Sequence, residues 1–145
     1  SRHSMNLRHF GITISNVEES LSFYQDILGL EVVKEMDESG IHIDNFSGIS
    51  GIKVKTIKLK DDSGSMIELL KYHSHPQEAN HDLITRVGCS HFAMTVTDLD
   101  DVIEKIETAG YSVNCNPQFS PDGNVKLTFA KGPDGVLIEL VEMLK

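Results

Sequence analysis

The strongest constraint on this chain is that part of it is written twice. His9-Phe10-Gly11-Ile12-Thr13-Ile14-Ser15-Asn16 returns 82 residues later as His91-Phe92-Ala93-Met94-Thr95-Val96-Thr97-Asp98, with His, Phe and Thr at identical places. Both copies alternate as a half-buried strand does: His91, Ala93 and Thr95 turn one way, and Phe92, Met94 and Val96 the other. Each copy leads into an amphipathic helical stretch, and each half ends on the same triplet, Ile67-Glu68-Leu69 and Ile138-Glu139-Leu140. Two histidines and two glutamates therefore stand at matching positions of one duplicated unit.

In the first unit, residues 6–14 read as a strand, with Leu7 and then Phe10, Ile12 and Ile14 forming its apolar series. Asn16 followed by Glu19 has the spacing of a capping box. Val17, Leu21, Tyr24 and Leu28 make a helical stripe, and Gly29 is placed to end it. Residues 31–35 form a short strand and residues 37–51 a long excursion. Residues 52–59 alternate with lysines outward. Asp61-Asp62-Ser63-Gly64 is hairpin chemistry, and residues 65–71 return as the last strand. The second unit repeats this β-α-β-β-β order. It has a strand over 90–97, Asp98 as N-cap, a stripe of Leu99, Val102, Ile103 and Ile106, and Gly110 at the helix end. A strand then begins at Tyr111, a loop covers 117–124, and the last strands span 125–130 and 136–142. The histidine-to-glutamate spacing is 59 residues in the first unit and 48 in the second, the excursion accounting for the difference. The fold class is α+β: one domain over 5–145, built from a first module at 5–72, a linker at 73–85 and a second module at 86–145.

Strand parity assigns the faces. If Phe10, Ile12 and Ile14 pack on the helix, His9 turns to the opposite side of the sheet, as do His91, Glu68 and Glu139. A carboxylate on such a face is costly without a partner, and two imidazoles with two carboxylates suit one divalent cation of the Zn²⁺, Ni²⁺, Co²⁺, Mn²⁺ or Fe²⁺ group. His73, His75 and His81 lie in the polar linker and read as solvated. Cys89 reads as a small buried hydrophobe, and Glu35, Asp37 and Glu38 as a solvated charge run. Ser1-Arg2-His3-Ser4 before Met5 reads as a cloning remnant, so His3 is left out of the functional set.

Composition removes other classes. A net charge of −9 over 145 residues argues against nucleic acid and anionic membrane surfaces. No apolar run approaches the roughly 18–20 residues of a membrane span. Two cysteines are too few for a disulfide scaffold and fit a reduced, cytoplasmic setting.

The two histidine strands, Leu21-Ser22-Phe23-Tyr24 with Leu28-Gly29-Leu30, and Gly132-Pro133-Asp134-Gly135 leading into Ile138-Glu139-Leu140 together resemble the vicinal oxygen chelate superfamily. Its members include glyoxalase I, methylmalonyl-CoA epimerase, extradiol dioxygenases and fosfomycin-resistance proteins. The resemblance covers residues 6–143. It implies paired βαβββ modules forming a U-shaped mixed sheet around one divalent metal, with His9, Glu68, His91 and Glu139 as ligands. It also implies a small-molecule substrate and a homodimer. Glyoxalase I is the nearest match in length and ligand set. The implied activity is a metal-dependent lyase or isomerase step on an oxygen-chelating substrate, with Glu139 as proton shuttle and Glu68 as its partner. Thr13 and Tyr72 stand where glyoxalase I carries an arginine and an asparagine that grip glutathione. The alternatives are an epimerase-like racemase, an extradiol dioxygenase-like enzyme (which uses two His and one Glu, so that Glu68 counts against it) and a metal-free small-molecule binding or resistance protein. The absence of Trp and an aromatic content of 6% count against the last.

Overall fold

The structure, a computed structural model, describes residues 4–79 and 84–145. Its contacts divide the chain into two compact units, Ser1–Glu78 and Ala79–Lys145, each a small mixed sheet with helical cover. The class is α+β, as the duplicated pattern predicts.

In the first unit, β1 (Phe10–Thr13) is followed by α1 (Val17–Leu21), which runs on into a π-helical turn over Ser22–Ile27. Then come β2 (Glu31–Ser39), α2 (Ile41–Ser47), β3 (Lys53–Lys60) and β4 (Met66–Tyr72). The sheet order is β1-β4-β3-β2, with β1 parallel to β4 and the other pairs antiparallel. Asn16 caps α1 as its spacing predicts, accepting a hydrogen bond from the Glu19 N–H at 2.9 Å. The predicted apolar stripe is displaced. Leu28 N–H reaches back five residues to the Phe23 carbonyl at 3.0 Å, and this wider turn carries Phe23 and Tyr24 together into the core, both fully buried. Ile12, Ile14, Leu30, Ile57, Leu59 and Leu69 complete the core on the helix side of the sheet. The hairpin between β3 and β4 is tied by Asp61, which accepts from the Ser63 hydroxyl and from the Ser63 and Ser65 N–H groups. The Ser63 hydroxyl, with those backbone donors, holds its carboxyl below the usual carboxylate range.

Two expectations for this unit need correction. The first strand is shorter than 6–14, and Leu7 is fully exposed rather than part of its apolar series. The excursion of 37–51 is ordered. β2 continues to Ser39, and α2 follows, with Gly48 at φ +74° closing its C-terminus. Asp44 accepts from the N–H groups of Gly51 and Ile52 at 2.9 and 3.0 Å, and Ile43 packs with Ile52 and Val54 against Leu70 and Tyr72.

In the second unit, β5 (Phe92–Thr95) leads to α3 (Leu99–Thr108), then β6 (Ser112–Val113), β7 (Gln118–Phe119), β8 (Val125–Lys131) and β9 (Leu137–Met143). The order is β5-β9-β8-β6 with β7 also pairing β8, and β5 runs parallel to β9. Asp98 caps α3 through the Asp101 N–H. Leu99 and Ile106 of the predicted stripe are fully buried. Gly110 closes the helix in a Schellman arrangement, with Tyr111 N–H on the Ile106 carbonyl and Gly110 N–H on that of Glu107. The stretch 117–124, predicted as loop, contains β7. No described helix is long and apolar enough to cross a membrane.

Candidate metal centre

Each unit brings its own histidine and glutamate together. In the first, His9 immediately precedes β1, and Glu68 sits mid-β4 opposite Gly11. In the second, His91 immediately precedes β5, and Glu139 sits in β9 opposite Ala93. The parallel strand pair therefore does the same work twice. It sets an imidazole at the start of one strand beside a carboxylate on the next, on the face away from α1 in the first unit and from α3 in the second.

The separations are 3.3 Å from His9 Nε2 to Glu68 Oε1 and 3.5 Å from His91 Nε2 to Glu139 Oε1. Both are longer than the roughly 2.7–3.2 Å of an N–H···O hydrogen bond. They match the edge of a tetrahedral coordination shell, since two donors each about 2.0–2.2 Å from one ion stand about 3.4 Å apart. The donor types, spacing and partial exposure of each pair fit half of a four-ligand site. Among the described residues, no group of three or more His, Cys, Asp and Glu side chains is drawn together.

The surroundings of the two pairs differ. His91 Nδ1 lies 2.7 Å from the Ser90 hydroxyl, a contact that orients the ring with Nε2 toward Glu139. Its ring also packs edge-on against Phe129, with centroids 5.0 Å apart, and Phe129 stands directly opposite Glu139 in β8. His9 Nδ1 is buried with no hydrogen-bond partner, and the residue before it is Arg8. The position opposite Glu68 in β3 is Lys58, not an aromatic ring. Ser90, Phe129 and Lys58 were not singled out by the sequence pattern. Ser90 adjoins a repeat histidine and was open to notice, whereas the other two emerge only from strand register.

Thr13 lies on the His9 face of β1, opposite Leu70 in register. Tyr72, at the end of β4, packs on the apolar cluster beneath α2. His73 and His75 are exposed and join no donor group; His81 and His3 lie outside the described residues. Cys89 is exposed, which corrects its reading as a buried hydrophobe. Residues 84–89 are all exposed, so the segment before β5 offers no core for it to enter. Cys115 is also exposed and free, 3.5 Å from the Thr128 hydroxyl.

Known proteins place this architecture. The sequence profile of the Glyoxalase/Bleomycin resistance protein/Dioxygenase superfamily matches residues 6–140. A probable lactoylglutathione lyase from Synechocystis sp. is 30% identical over 139 residues, covering 95% of each chain. The crystal structure of a glyoxalase family protein from Bacillus cereus superposes with a TM-score of 0.90 at 21% identity, covering 99% of this chain and 97% of the other. The fosfomycin resistance protein FosX from Listeria monocytogenes, solved with Mn(II) and sulfate, gives a TM-score of 0.67 at 15% identity over 97% of this chain and 93% of its own. Duplicated unit, paired His and Glu, fold and profile agree, and the chain belongs to the Glyoxalase/Bleomycin resistance protein/Dioxygenase superfamily.

Proposed function

We propose that this protein is a divalent-metal-dependent lyase or isomerase of the glyoxalase I type, acting by proton transfer on a small oxygen-chelating substrate. The observation that carries the reading is the matched pair of contacts, His9–Glu68 at 3.3 Å and His91–Glu139 at 3.5 Å, each at the spacing of neighbouring ligands on one ion. The reading takes residues 5–145 as one cytoplasmic domain in which both pairs serve one cation, within a chain or across a two-fold dimer. His9, Glu68, His91 and Glu139 would hold that cation. It would supply Lewis-acid polarisation of a substrate carbonyl, lowering the cost of removing a proton from the adjacent carbon.

The chain's own groups then divide the work. His9 and His91 would serve the cation as ligands only. Glu139 is the more exposed carboxylate, 27% against 15% for Glu68. It has the freedom to reach a substrate carbon and return the proton to its neighbour, and Glu68 is its less mobile partner. Support for the lyase reading comes from the Synechocystis relative, matched along nearly its whole length. Thr13 and Tyr72 depart from the glutathione-gripping pattern.

The test is turnover of hemithioacetals by metal-loaded protein beside Glu139→Gln. Conversion that falls by about 10²–10⁴-fold in the variant, with metal content retained, is the expected result. Undiminished conversion would remove Glu139 from the mechanism.

A further inference from the structure

Beyond the four candidate ligands, the first unit carries three lysines on the Glu68 face of its sheet, Lys34, Lys58 and Lys60. Lys58 of β3 is directly opposite Glu68 of β4, and residues directly opposite in an antiparallel pair project to the same side. On the other flank of β3, Lys58 is directly opposite Lys34 of β2. Lys34 reaches this face through an irregularity, a register shift between Val32 and Lys34 that leaves Val33 as an extra residue. In a regular β2, Val33 would share the Glu31 side and Lys34 would turn toward the helices. The bulge reverses that parity, and re-aiming a side chain is what bulges beside functional sites do.

The result is costly in isolation. Like charges directly opposite one another destabilise a sheet. Lys60, the next lysine of β3 on this face, is neutralised by Glu31 at 3.8 Å. Among the described residues, neither Lys34 nor Lys58 has an ion-pair partner. Glu68 is the nearest carboxylate by register, but its Oε1 is directed to His9. The two lysines thus sit one and two strands from a candidate ligand, their backbones about 5 and 10 Å from that of Glu68 at the usual strand spacing, and neither has an ion-pair partner among the described residues. The equivalent place in the second unit is the uncharged Phe129.

We propose that Lys34 and Lys58 form an anion subsite that holds a carboxylate or phosphate group of the substrate beside the His9–Glu68 pair. The proposal rests on the reading of that pair as part of a substrate-binding metal site. It gives the substrate a polarity: an oxygen-chelating head at the ligands and an anionic group over β3 and β2.

The test is an NMR titration of metal-loaded, ¹⁵N-labelled protein with inorganic phosphate and, separately, with acetate, ionic strength being held constant with NaCl. Wild type is compared with Lys58→Met, Lys34→Met, Lys58→Arg and, as control, Lys60→Met. Saturable shifts of amides in β2, β3 and β4, weakened about tenfold or more by Lys58→Met and by Lys34→Met but kept in Lys58→Arg and Lys60→Met, are expected. Response to both anions points to a carboxylate-sized site, and response to phosphate alone to a phosphate group. Phosphate affinity unchanged in Lys58→Met, as binding directly to the metal would give, overturns the subsite while leaving the metal reading intact. Lysine-dependent binding in a protein that takes up no metal keeps the subsite and removes that reading.

Discussion

The two histidine–glutamate pairs share their inner geometry and differ in everything around it. His91 is oriented by the Ser90 hydroxyl at 2.7 Å and by the edge of Phe129. His9 has a buried Nδ1 without a partner, an arginine in the place of that serine, and a lysine in the place of that phenylalanine. The contacts common to both, imidazole to carboxylate across a parallel strand pair, are the ones the proposed cation would use. Those that differ set the surroundings of each pair. In the second unit the imidazole is oriented by a hydroxyl and flanked by an aromatic ring. In the first its outer nitrogen has no partner and the flank carries positive charge.

The largest expected difference between the halves lies in turnover. Glu139→Gln removes the proposed proton carrier and is expected to cost about 10²–10⁴-fold in kcat, whereas Glu68→Gln is expected to act chiefly through weaker metal retention. Equal kcat losses at full metal occupancy would break the proposed division of labour. A smaller effect isolates the outer contacts. Ser90→Ala is expected to weaken metal affinity about 10–100-fold with the fold intact, read by chelator competition. Arg8→Ser, which writes the same contact into the first half, is expected to tighten it. No response to either change would show that ring orientation is set elsewhere. The smallest effect should be the most alike in the two units. Asn16→Ala and Asp98→Ala each remove one N-cap hydrogen bond and are expected to cost about 1 kcal/mol in denaturant unfolding.

Much of this was legible before any coordinates. The repeat exposed both histidine strands and both Ile-Glu-Leu strands, because identical residues at matched offsets register against a varied background. Period-two alternation then marked which side chains of the histidine and Ile-Glu-Leu strands share a face, but it failed in β3, where Lys53 and Lys55 stand on the opposite face from Lys58. Capping residues and glycines marked both helices, since their chemistry is local. What stayed hidden depends on longer-range geometry. The π turn that buries Phe23 and Tyr24 is one hydrogen bond wider than the period on which a helical stripe is judged. α2 begins at Gly40 without a side-chain cap and is only seven residues long, so its Ile41, Ile43 and Phe46 gave no sustained period. The bulge at Val33 lies within two adjacent β-formers, Val32 and Val33, that read equally well as a regular strand. The place of Lys34 on the Glu68 face was hidden for that reason, whereas Lys58 and Phe129 were invisible until β3 was paired with β4 and β8 with β9.

The central claim, that the two pairs serve one cation, is tested most directly by elemental analysis of purified protein, with a His91→Ala variant and its counterpart His9→Ala alongside. The expected result is about one divalent metal per chain in the wild type, lost on removal of either histidine although each belongs to a different unit. A protein that takes up no metal after dialysis against Zn²⁺, Ni²⁺ and Mn²⁺ would contradict it and favour a metal-free binding role on the same fold, and one whose metal survives both substitutions would contradict it by holding the metal elsewhere.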